Sequence, residues 1–84
     1  MMAVAVIEGA MPPETDYEER AKRLLRAEMA RLGLTYQQLV DKLAEIGILE
    51  DEHNLRNKVA RGKFTAAFLL QCLDALGTTE IRTK

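Results

Sequence analysis

The sequence has no tryptophan and only two tyrosines, two phenylalanines, one histidine and one cysteine in 84 residues. So few aromatics exclude a stacking platform for nucleic-acid bases and leave Leu, Ile, Val, Ala and Met to fill the core. Cys72 alone cannot close an internal disulfide and has no neighbour at metal-ligand spacing, so a disulfide scaffold and a zinc site are both excluded. A reducing cytoplasm is the simplest setting for such a chain. His53 lies beside acids at the start of a polar segment, where capping or plain solvent exposure outweighs catalysis. Gly-rich phosphate loops, paired carboxylates and metal clusters are also missing. No enzyme activity, cofactor or metal is therefore expected.

Long apolar runs are absent too. The opening MMAVAVIEGAM has no basic residue before it and is broken by Glu8, far short of the roughly 20 apolar residues of a membrane span. Neither a signal peptide nor a transmembrane helix is expected. Charge of one sign is lacking as well: 12 Lys and Arg against 13 Asp and Glu give a formal charge of −1. This excludes a polycation that coats nucleic acid indiscriminately, so any basic surface must be local.

What is present, 48% hydrophobic and 30% charged residues, describes one small globular domain. Pro12 and Pro13 disfavour helix at and before them. They set a segment 1–14 apart from a helical domain 15–77 and a coil tail 78–84. The first helix begins near Asp16, capped by Thr15 or Asp16 with Glu18 and Glu19 at the positive end of its dipole. It carries Ala21, Leu24, Leu25 and Leu32 on or near one face, with Arg20, Lys22, Arg23, Arg26 and Arg31 mostly elsewhere, and stops at Gly33. Thr35 and Gln38 form a capping box for a second helix. Its Tyr36, Leu39, Val40, Leu43 and Ala44 recur at helical spacing as a buried stripe up to Gly47.

Ile48 and Leu49 are expected to tuck into the core before Asp51 caps a third helix, 51–61, whose only strong apolar anchors are Leu55 and Val59. Gly62 closes it. Thr65 caps a fourth helix whose Ala66, Leu69, Leu70, Leu73 and Leu76 face the core, with Phe68, Cys72 and Ala75 as a second strip, ending at Gly77. The expected fold is all-α: a small bundle of four short helices.

The third helix and its turn, Asn54-Leu55-Arg56-Asn57-Lys58-Val59-Ala60-Arg61-Gly62-Lys63, hold four cations and no acid. Arg, Lys and Asn are the residue types that grip base edges bidentately or bind phosphate, and a helix fits the major groove. The plainer reading is a solvated face whose cations offset the acids at 14–19 and 50–52.

The run from Leu24 to Gly77, about two-thirds of the chain, resembles the lambda-repressor-like helix-turn-helix family. The likeness lies in a first helix ending in glycine, Thr35–Leu43 as second helix, a third ending Arg61-Gly62-Lys63, and a Leu-rich fourth ending Ala75-Leu76-Gly77. Asn54 to Lys58, Arg61 to Phe64 and Ala66 to Leu73 also resemble a group of short bacterial proteins that share a domain of unknown function.

The first resemblance implies a sequence-specific DNA-binding protein, a transcriptional regulator, with 51–61 as recognition helix. Asn54, Arg56 and Asn57 would contact bases, and Gln37, Gln38, Lys58, Arg61 and Lys63 phosphates, with Arg23 and Arg26 extending the backbone contacts. A homodimer on double-stranded DNA is the expected form, built on helix four or on exchange of Ala3–Ile7 between subunits, a disordered tail being the equal alternative for that segment.

Two departures stand out. The connection around Glu45–Asp51 is about six residues longer than the tight helix-turn-helix turn. Val40 stands where the family has a small alanine, and Tyr36 where many members place a phosphate-binding glutamine. The competing reading is a non-enzymatic protein-interaction or antitoxin-like module that presents the third or fourth helix to a protein partner.

Overall fold

The computed structural model describes residues 16–82, in which the secondary structure is four helices: α1 (Asp16–Leu32), α2 (Tyr36–Glu45), α3 (Glu52–Arg61) and α4 (Ala66–Leu76). The all-α, four-helix expectation holds. The expected cap at Thr15, the break at Pro12 and Pro13, and the exchange of Ala3–Ile7 lie outside the described residues.

Local chemistry sets the boundaries. At α2 the Gln38 N–H donates to Thr35 Oγ1 at 3.2 Å while the Thr35 N–H donates to Gln38 Oε1 at 2.8 Å, a reciprocal box that satisfies two first-turn donors. Asp51 Oδ1 accepts from the Asn54 N–H at 3.0 Å to start α3, and Thr65 Oγ1 accepts from the Phe68 N–H at 3.0 Å to start α4. At the end of α2, Gly47 takes a φ of 84°, a left-handed conformation that a side chain would strain. The Gly47 N–H then reaches Ala44 O at 3.0 Å and the Ile48 N–H reaches Leu43 O at 2.9 Å. This paired closure satisfies two of the last orphan carbonyls and brings Ile48 back over Leu43.

The helices pack as two on two, α3 and α4 each lying against α1 and α2, with the α2–α4 contact the most extensive. The core they share is Leu25, Met29, Leu39, Leu43, Leu55, Val59, Phe68, Cys72 and Leu76. Five expectations are corrected. Leu32, the last residue of α1, is 38% exposed; Met29, one turn earlier, is buried in its place. Ile48 packs on the core, but Leu49, one residue past the closure that folds Ile48 back, is 86% exposed. Leu70 is 61% exposed, because at about 100° per residue it lies roughly 200° round α4 from Phe68. Ala44 and Ala66, too, are exposed rather than buried.

Two polar contacts add to the apolar packing of α1 against α3 and α4. The Lys22 ammonium, paired with Glu19 at 3.2 Å, crosses to the Ala60 carbonyl at 3.0 Å. It thereby places a cation at the negative end of α3. Glu28 accepts from Arg31 at 2.8 Å and from the Thr78 hydroxyl at 3.0 Å, tying α1 to the chain after α4. The Arg31 and Thr78 hydrogen bonds hold the Glu28 carboxyl below its ordinary range. Their contribution to stability is therefore lost as pH falls through that lowered value.

Cys72 has no exposed surface, and burial, reinforced by the Glu50 carboxylate and partly offset by Lys58, pushes its thiol up to about 12. The thiolate is the reacting form. A disulfide reagent at pH 8 is expected to leave Cys72 untouched in the folded protein and to label it fully in urea. Rapid labelling without urea would contradict the burial. Because the folded value lies above the unfolded one, this group favours folding at neutral pH and ceases to do so as pH rises through the interval from 9.0 to about 12.

Candidate nucleic-acid interface on the third helix

α3 is a helix of ten residues that only Leu55 and Val59 bury. They lie four apart, on one side of the helix. By a rotation of about 100° per residue, Asn54, Asn57 and Arg61 fall within an arc of about 60° opposite that stripe. All three are exposed. Between Asn54 and Arg61 the helix rises about 10 Å. That ridge matches the span of roughly three base pairs at 3.4 Å each.

The expected base-contacting residues separate. Asn54 and Asn57 sit on the ridge, Asn57 with its amide 3.3 Å from the His53 ring nitrogen. Arg56 is exposed but lies on the flank towards α2: it pairs with Glu52 one turn back and sits over the Tyr36 ring, 5.2 Å from its centroid.

The expected phosphate contacts separate as well. Arg61 and Lys63 are exposed, without an ionic partner among the described residues. Lys58 does not point outward with them: its ammonium meets the Glu50 carboxylate at 2.7 Å and lies 4.7 Å from the Phe68 ring centroid. Gln38 spends its side-chain oxygen on the capping box, and Gln37 donates to Asp41 at 3.1 Å. On α1, Arg23 pairs with Glu19 at 3.4 Å, while the Arg26 Nε donates to the Tyr36 hydroxyl at 3.1 Å.

Glu50 in the connector and Glu52 at the start of α3 thus pair with two of the four cations in the basic stretch, as the plainer reading held, and leave Arg61 and Lys63. The two pairs differ in worth. An exposed i,i+4 pair such as Glu52–Arg56 contributes about 0.3–0.5 kcal/mol. Lys58 is half-buried between a carboxylate and an aromatic face, so its release costs more.

The connector itself covers residues 46–51, six in all, which corrects the expected excess of about six over the tight turn. Against a turn of about three to four residues the true excess is about two or three.

Sequence reasoning missed the hub at Tyr36, which lies between the Arg26 and Arg56 guanidiniums, and the placement of Lys22 at the end of α3. The Glu52–Arg56 spacing was a readable signal for one pair. The others join distant parts of the chain and have no local signature.

Among the described residues no group of three or more His, Cys, Asp or Glu is placed to hold a metal ion, and no helix is long and apolar enough to cross a membrane. No curated protein and no solved structure matches the chain. A family model for a domain of unknown function, DUF6471, matches residues 17–81, all four helices but for the first residue of α1, and the chain belongs to that family.

Proposed function

We propose that this domain is a sequence-specific DNA-binding module of the helix-turn-helix kind, a transcriptional regulator that reads duplex DNA with the outer ridge of α3. The observation that carries the reading is that ridge: Asn54, Asn57 and Arg61 share an exposed face, with Lys63 just beyond it, and no acid intervenes from His53 to Lys63. Asn57 and Asn54 suit adenine edges, Arg61 and Lys63 suit phosphates, and Arg61 is close enough in angle to Asn57 to reach a base as well. Arg56 and Lys58, held on the flanks, take supporting roles. A single ridge covers about three base pairs and binds weakly alone, so the working form is a homodimer on two half-sites about one helical turn apart.

Selection from a random duplex library tests the reading. The expected outcome is an enriched motif of two half-sites, each of about three to four base pairs, with affinity that falls steeply with salt. A library that emerges unenriched would sink it. That result would favour the second reading, a protein-interaction module, which is supported by the exposure of Ile46 (47%) and Leu49 (86%) on the connector beside α3.

A further inference from the structure

A cleft of about 590 Å³ opens between the C-terminal half of α1, the turn into α2 and the start of α3. Its volume falls in the range of small-molecule sites, roughly 300–1,000 Å³. Met29, Ala30 and Leu34 line an apolar wall, which Ala30 keeps open by offering only a methyl group. Tyr36, Arg26 and Arg56 supply the polar side, and Glu52 contributes one carboxylate.

The charges do not balance. Glu52 is taken by Arg56, whereas among the described residues Arg26 meets only a neutral acceptor, the Tyr36 hydroxyl at 3.1 Å. The Arg26 Nε is used there, but the two-nitrogen fork at the end of the guanidinium, the part that grips a carboxylate bidentately, has no carboxylate partner among the described residues. Because the Tyr36 oxygen accepts from Arg26, its own proton is left to donate. Arg56, over the Tyr36 ring and neutralised by Glu52, closes the same side of the cleft without adding net charge. The cleft therefore holds one unmatched positive charge, two convergent donors and an apolar wall.

We propose that this cleft binds a small apolar monocarboxylate. The carboxylate accepts from Arg26 and from the Tyr36 hydroxyl, and the apolar body lies against Met29, Ala30 and Leu34. A single negative charge balances the site, and the wall selects a body over a bare anion. The proposal stands independently of what α3 reads.

The test is a titration of the ¹⁵N-labelled full chain with phenylacetate and indole-3-acetate, with phenylacetamide as the uncharged control and inorganic phosphate as the anion without a body. Both acids are expected to move the amides of Arg26, Ala30, Tyr36 and Arg56 in a saturable way, with a dissociation constant on the order of 1 mM. Phenylacetamide and phosphate are expected to leave them in place. Arg26→Gln should weaken binding about tenfold or more. Ala30→Phe, at an exposed position that leaves the core intact, should fill the cleft and abolish binding. The proposal is overturned if neither acid saturates, if phenylacetamide or phosphate matches them, or if Arg26→Gln binds like the parent.

Discussion

Leu55→Ala is expected to lower the free energy of unfolding by about 2–5 kcal/mol, the usual cost of removing a fully buried leucine and leaving a cavity. Small domains have only about 5–15 kcal/mol in total, so the variant should unfold at markedly lower urea with an unchanged slope. The loss is severe here because α3 has ten residues and only Leu55 and Val59 hold it to the core. A helix that short does not persist without packing. Leu49→Ala removes the same side-chain atoms from a position 86% exposed. It should change stability by no more than about 0.5 kcal/mol. Equal costs for the two variants would mean that α3 is not docked through Leu55.

The second large effect concerns salt. On a duplex enriched by selection, Arg61→Ala and Lys63→Ala are each expected to flatten the dependence of log affinity on log salt by about 0.9 for every phosphate that is no longer neutralised. Their combination should remove about twice that and weaken binding at low salt by more than either alone. Lys58→Ala serves as the contrast. Its ammonium is held by Glu50 and the Phe68 ring, so its removal should leave the salt slope nearly unchanged and appear as reduced stability. A Lys58→Ala slope as shallow as that of Arg61→Ala would return Lys58 to the phosphate-binding set.

These expectations differ from those the sequence alone supports, for a physical reason. Thr35, Asp51 and Thr65 are legible as caps because the hydrogen bonds they make reach only three residues along the chain, and the glycine stops are equally local. The Leu55 and Val59 anchors follow from helical spacing. Leu49 and Leu70 misled because an apolar residue in a connector, or on a helix apolar almost all round, does not declare which side it faces. Lys58 could not be separated from Arg61 by composition. The difference lies in Glu50, eight residues away across the cap, and in Phe68 on another helix. The Arg26–Tyr36–Arg56 cluster likewise exists only once α1, α2 and α3 meet.

The claim that α3 reads sequence through its outer ridge is tested most directly by the ratio of dissociation constants for the enriched duplex and a scrambled duplex of equal length at about 0.15 M salt, for the parent and Asn57→Ala in parallel. The parent should prefer the enriched duplex by about 10³-fold or more. Asn57→Ala should lose about 1–3 kcal/mol of that discrimination at one base pair. A parent ratio near one, or a ratio that Asn57→Ala leaves intact, would contradict the assignment.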